Sequence, residues 1–269
     1  MGKGRRMAAR ARTLYATKII KAGALLADTK TLLAYWDDTT DVSTNLARFR
    51  GENLFGKASR SRVEDILAIF RQRYLSEPGL LAALIIFARG GFAPASLDRI
   101  LYVLALRADL LLQDAVLEVV APVAASGRQE LPVAEMAAWV RRQVAAGRTG
   151  QAWGEETIER VARGLMATLR DFGVLEGAQT KRIAYPHLPL LPFAFIALLL
   201  FRELGAGERL LTDPAWGVFF MTRDAVERGL VEAHQERLLE YHAAGAVVRL
   251  TFPTASLEEY AHDLAQRAH

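Results

Sequence analysis

Apolar residues recur at helical spacing through most of the chain. In "SRVEDILAIFRQRYL", Val63, Ile66, Leu67, Phe70 and Tyr74 fall at i, i+3, i+4, i+7 and i+11, a single stripe along a helix. Ser61 with Glu64 three residues on has the spacing of a capping box, which predicts a helix start at Ser61. Pro78 and Gly79 close that segment. "GLLAALIIFAR" follows and then, past Gly90 and Gly91, "SLDRILYVLALRADLLLQDAVLEVV"; both are apolar enough for the centre of a helical bundle. Pro122, with the polar run "SGRQE" behind it, predicts a seam. The expected organisation is an N-terminal helical domain with a basic arm over residues 1–125 and a second domain over 126–269.

The second half opens with a helix in "VAEMAAWVRRQVAAG". In the next segment Ile158, Val161, Leu165, Leu169 and Phe172 form an apolar face, and Gly173 is placed to end the helix in a left-handed conformation. "VLEG" and "KRIAY", joined by Gly177, Ala178, Gln179 and Thr180, predict a hairpin. A helix, a glycine stop and a hairpin with basic residues at its tip outline a winged helix-turn-helix. The expected fold class is therefore mainly α, in two helical subdomains, the second with winged helix-turn-helix character and a short β-hairpin.

The C-terminal third predicts a helix starting near Pro192 in "PHLPLLPFAFIALLLF", another after Asp213-Pro214, an amphipathic helix in "RDAVERGLVEAHQERLLEYHAAG" and a strand in "AVVRLTF". A final helix is capped by Ser256 with Glu259. The uncharged segment at 186–201 is the one candidate for a membrane span. About a dozen helical residues reach roughly 18 Å, against the roughly 30 Å of a bilayer core, so a buried core helix is expected.

Composition narrows the classes. The 269 residues are 52% hydrophobic and contain no cysteine, which excludes a disulfide framework or a thiolate metal site and points to a reducing, cytoplasmic location. The formal charge is +4, unevenly spread: residues 1–73 carry 15 Lys/Arg against 7 Asp/Glu, whereas residues 203–269 carry 6 against 11. Lys3, Arg5, Arg6, Arg10, Arg12, Lys18 and Lys21 precede the first acid. Such a run attracts phosphate polyanions. No uninterrupted apolar stretch follows these arginines, so secretion is not expected.

One stretch, "GENLFGKASRSR", has the spacing of a phosphate-binding loop in Gly51, Gly56 and Lys57. No apolar strand precedes it, Glu52 puts a carboxylate in the cradle, and Ala58 cannot hold magnesium. Nucleotide hydrolysis is not expected. The segment does lead into a helix N-terminus, and Lys57, Arg60 and Arg62 on that approach suit a DNA backbone. The helix at 155–172 repeats the theme, with Arg160, Arg163 and Arg170 within about 80° of one another at 100° per residue. Lys181 and Arg182 would then hold the neighbouring backbone from the wing. Glu159 and Asp171 share the same solvent side, which leaves a plain exposed face as the alternative.

His187, His234, His242, His262 and His269 stand in no tight metal spacing, with His234 and His242 roughly same-faced on one expected helix. Neither a nucleophile elbow nor a dinucleotide-binding turn is present. The expectation is a non-enzymatic protein with no metal and no cofactor.

The order "KAGALLADTKTLLAYW", "ENLFGKASRSRVEDILAIFRQRYL" and "TIERVARGLMATLRDFGVLEGAQTKRIAYP" resembles the BrxA family, accessory proteins of BREX bacteriophage-defence systems, over about residues 13–200. The resemblance implies a cytoplasmic, largely helical protein with helix-turn-helix character that binds double-stranded DNA and has no known enzymatic activity. The proposed DNA contacts are Arg5, Arg6, Arg10, Arg12, Lys57, Arg60, Arg62, Arg160, Arg163, Arg170, Lys181 and Arg182, and other BREX subunits are the further partners. Two alternatives come from other classes: a protein–protein scaffold using the acidic C-terminal region, and a membrane-associated protein using the basic arm and the 186–201 segment.

Overall fold

The computed structural model describes residues 14–52, 54–56, 59–178, 180–245 and 247–268. Along the chain run helices α1 (Ile19–Ala22), α2 (Leu26–Ala34), α3 (Val42–Glu52), α4 (Arg60–Tyr74), α5 (Leu80–Arg89), α6 (Pro94–Ala108), α7 (Leu110–Ala115) and α8 (Ala121–Ala125), with a π turn over Val116–Val120 between the last two. Strand β1 (Glu130–Leu131), helices α9 (Val133–Ala145) and α10 (Glu155–Asp171), and strands β2 (Leu175–Glu176) and β3 (Lys181–Ile183) follow. The order ends with α11 (Leu190–Leu204), α12 (Gly207–Leu211), a 3₁₀ turn over Pro214–Phe219, α13 (Arg223–Gln235), β4 (Glu240–Ala244), β5 (Val247–Thr251) and α14 (Leu257–Gln266). The fold is mainly α with short antiparallel strands, as the periodicity predicts.

Two compact units each draw on two stretches of chain: Met1–Ala24 with Leu106–Pro186, and Leu25–Ala105 with His187–His269. The seam expected at residue 125 falls inside the first of them. Pro122 does not end its helix, because it occupies the first turn of α8, directly after the wider π turn, where a missing N–H and a bulky ring are tolerated. The polar run behind it is only the loop into β1.

In the first unit α9 and α10 pack together, and α1 crosses α10 so closely that a Cβ on Gly164 would sit 3.2 Å from the Ile19 carbonyl oxygen. Ile158, Val161, Leu165, Leu169 and Phe172, the apolar face read from the sequence, are buried, together with Met136, Trp139 and Val140 of α9. The end of α10 is a Schellman turn: Gly173 has φ +70°, its N–H donates to Arg170, and the Val174 N–H donates to Leu169. That turn aims the chain into β2. β3 pairs antiparallel with both β1 and β2, giving the strand order β1-β3-β2.

In the second unit α5 packs on α2 and α14, and α11 lies against α12, α13 and α14. Residues 192–200 of α11 are all buried, so this helix is a core element. No helix among the described residues is long and apolar enough to cross a membrane. α4 starts at Arg60, one residue before the sequence-based expectation, because Ser59 rather than Ser61 accepts from the Arg62 N–H, at 3.2 Å. Glu64 instead meets Arg50 at 2.5 Å. The Ser256 cap of α14 forms as predicted, accepting from the Glu259 N–H.

α13 stops earlier than its pattern predicts. Arg237 adopts φ +56° and the Leu238 N–H donates to Ala233, so the chain leaves the helix and pairs as β4 with β5. Leu238, Leu239 and Tyr241 gain burial this way, which outweighs the cost of a left-handed arginine. His234 and His242 therefore lie on a helix and a strand, with ring centroids 5.4 Å apart, and not on one helix.

Candidate nucleic-acid interface

The outward arc of α10 is set by its packing. With Ile158, Val161, Ala162, Leu165, Met166 and Leu169 turned into the core, Glu156, Glu159, Arg160, Arg163, Arg170 and Asp171 are left exposed. With Glu155, which is also exposed, the helix thus presents three guanidinium groups and four carboxylates. Arg163 meets Glu159 at 3.2 Å and Arg170 meets Asp171 at 2.7 Å. Arg160 makes no ion pair among the described residues. At the N-terminal end, Glu155 pairs with Arg141 of α9, and that pairing holds the Glu155 carboxyl below its ordinary range.

The two basic residues of the β2–β3 hairpin differ from one another. Arg182 is exposed on β3, in register with Glu130 on one side and Glu176 on the other, its guanidinium 3.8 Å from the Glu130 carboxylate. Lys181 is buried, and its ammonium donates to the Gly177 and Ala178 carbonyls at 2.5 and 2.8 Å. It closes the β2–β3 turn. The covering backbone, then Arg170 nearby, lowers its pKa, with Asp171 opposing. Lys181, read from the sequence as a phosphate contact, is thus buried with its ammonium engaged by its own hairpin turn.

Arg60 and Arg62 belong to the second unit, at the start of α4. Arg60 is exposed and close enough to Glu64 to help hold that carboxyl low; Arg62 is half-buried. Arg5, Arg6, Arg10, Arg12 and Lys57 lie outside the described residues. Where a phosphate-binding loop would need a strand before its first glycine, Gly51 lies inside α3, so the glycine spacing carries no such loop.

Sequence reasoning missed a buried polar cluster in the first unit. Tyr15 is 4% exposed and its hydroxyl donates to Asp114 at 2.7 Å, while its backbone N–H donates to the Arg148 carbonyl at 2.8 Å. Arg148 reaches Asp114 at 3.1 Å and places its guanidinium carbon 4.6 Å from the centre of the Tyr15 ring. Along the π turn, Glu118 accepts from the Trp139 indole at 3.0 Å and from Gln143 at 3.3 Å. The partners are up to 99 residues apart, and no local spacing announces them.

Among the described residues no group of three or more His, Asp or Glu side chains converges as metal ligands. Comparison with curated proteins gives no match. A family model described as BrxA matches residues 13–199, the stretch that contains all the elements of the first unit from Tyr15 to β3. The chain belongs to the BrxA family and is thereby a protein of a BREX defence system.

Proposed function

We propose that the protein is a non-enzymatic, double-stranded DNA-binding accessory subunit of a BREX system, with the first unit as a winged helix-turn-helix. The observation that carries this reading is topological. A helix pair, α9 and α10, is followed by the hairpin β2–β3, and β1, which precedes both helices, closes the sheet on the far side of β3. In such an arrangement the second helix lies in a groove and the hairpin rests on the adjacent backbone. The turn between the helices spans residues 146–154, longer than the usual three or four.

The electrostatics fit backbone binding. Exposed ion pairs of the Arg163–Glu159 kind are worth about 0–1 kcal/mol, so a phosphate displaces the carboxylate at little cost. Among the described residues of the α10 arc, Arg160 is the cation without an ion pair, and Arg163, Arg170 and Arg182 join by partner exchange; Arg60, Arg62, Lys57 and the arginines of the arm are the other proposed phosphate contacts. The outward arc of α10 carries no Asn or Gln to read adenine, so sequence preference is expected to be weak and the salt dependence steep. Anisotropy titration of duplex DNA at several salt concentrations tests this: binding that ignores salt, or that survives Arg60, Arg62, Arg160 and Arg163 all changed to Ala, rejects it.

A second reading has its own observation. The outer face of α13 carries Asp224, Glu227 and Glu232 against Arg228, around Val231 at 39% exposure. Such a face suits a basic protein surface, and in this reading the chain is held among the other BREX subunits. Co-purification with those subunits that survives nuclease treatment favours it over DNA bridging.

A further inference from the structure

We infer that the groove between α5 and α14 of the second unit is a docking site for a basic amphipathic helix of a partner protein. The inference stands apart from the DNA-binding reading. It starts from the sequence of α5, "LLAALIIFAR", which carries no polar side chain before Arg89. A helix that is apolar all round is expected to be covered all round. Leu80, Ala83, Leu84 and Phe87 are buried in the core, whereas Leu81, Ala82 and Ile86 on the opposite side are only half-covered. α5 and α14 lie side by side along their length: a Cβ on Gly79, just ahead of α5, would be 3.9 Å from the Leu257 Cβ, and one on Gly90, just past α5, would be 3.2 Å from the Ala265 Cβ. Their outer seam is an open groove of about 760 Å³, with Trp36, Ile85 and Ala265 among its buried lining. At 1.5 Å per residue the 10 residues of each helix make it roughly 15 Å long, or about three turns of an incoming helix.

Charge selects the occupant. Asp38 and Glu258 line the groove. Asp37 and Asp41 stand in the same loop as Asp38, and Glu259 and Asp263 on the same helix as Glu258, where no Lys or Arg occurs between Leu257 and Gln266. Arg89 is the one Lys or Arg among the lining residues, and it is committed: its guanidinium pairs with the Asp38 carboxylate and donates to the Ala34 and Trp36 carbonyls. An apolar floor between two acidic rims fits a helix with leucine-like side chains at i, i+3, i+4 and i+7 and Lys or Arg on its flanks.

Fluorescence anisotropy with a labelled synthetic helix tests the inference. The probe is a peptide of about fourteen residues, four helical turns, with leucine at those spacings and lysine elsewhere; its companions are the same composition in scrambled order and a version with glutamate in place of lysine. The full chain is expected to bind the first peptide and to bind each companion about ten-fold or more weakly. Ala82→Arg, which puts bulk and positive charge into the groove, is expected to weaken the first peptide by about ten-fold or more, and Val231→Arg on the acidic face of α13 by less than about two-fold, with thermal midpoints recorded for both. Binding that ignores Ala82→Arg, that falls as far with Val231→Arg, or that is no weaker for the scrambled or glutamate peptide overturns the inference. So does a chain that sediments alone as a dimer and becomes monomeric with Ala82→Arg, since the occupant is then a second copy. Should Ala82→Arg fail to fold, Gln266→Cys, exposed at the edge of the groove in a chain with no other cysteine, is folded first and then blocked with a bulky maleimide. Peptide binding that survives the block overturns the inference, and binding lost on blocking supports it.

Discussion

Lys181 closes the turn of its own hairpin, its ammonium 2.5 Å from the Gly177 carbonyl oxygen and 2.8 Å from that of Ala178. A lysine at a wing tip reads as a phosphate contact in sequence, yet here its ammonium donates to backbone acceptors. Lys181→Ala is expected to lower stability by about 1–2 kcal/mol, the worth of charge-assisted hydrogen bonds at a partly screened site. The salt slope of duplex binding is expected to stay as it was. Thermal melts paired with salt titrations separate the two effects.

In the proposed interface the acids on α10 would compete with phosphate. Glu159 there holds Arg163 and would repel a duplex, so Glu159→Gln is expected to tighten binding by about two- to five-fold, corresponding to about 0.5–1 kcal/mol at an exposed site. Arg160→Ala is expected to weaken binding more than Arg163→Ala, because Arg160 has no carboxylate to leave behind. Anisotropy with each single variant gives the ranking.

Gly229, inside α13, lies under the Phe193 ring of α11, where an added Cβ would come within 2.7 Å of the ring edge. Helix propensity alone would make Gly229→Ala stabilising by about 1 kcal/mol. Overpacking dominates: the variant is expected to lose about 1–3 kcal/mol in denaturant unfolding.

Acid acts on the ion pairs. The hydrogen bond from Arg50 holds the Glu64 carboxyl below its ordinary value of 4.5, and Arg141 does the same for Glu155. A depressed folded-state pKa contributes stability that is present above the unfolded value and lost as pH falls through the folded one. Glu64→Gln is therefore expected to melt below the parent chain near neutral pH, with the gap closing below pH 4.5 as Glu64 is protonated in both states. Thermal midpoints recorded across that range check it.

Local signals were legible in the sequence and distant ones were not. The face of α10 and its Gly173 stop follow from apolar spacing and one residue type suited to positive φ, and both appear as read. α13 ended unannounced because Arg237 takes the left-handed conformation without a glycine to mark it. The start of α4 shifted because Ser59 and Ser61 are both good caps and only the folded backbone chooses between them. Pro122, read as a break, sits in the first turn of α8 directly after a π turn, a feature with no sequence signature. In the candidate interface the three arginines of α10 do share one face, whereas the role of Lys181 and the Tyr15–Asp114 bond depend on contacts made only in the folded chain.

Cross-linking from chosen positions tests the interface most directly. The chain has no cysteine, so a single introduced thiol can carry a photo-reactive group at one known place. Ala167→Cys puts it at the middle of the cationic arc of α10, and Val231→Cys puts it on the acidic face of α13. With duplex DNA at low salt, the account predicts efficient cross-linking from position 167 and little from position 231. Equal cross-linking from both, or DNA captured only from position 231, would contradict it.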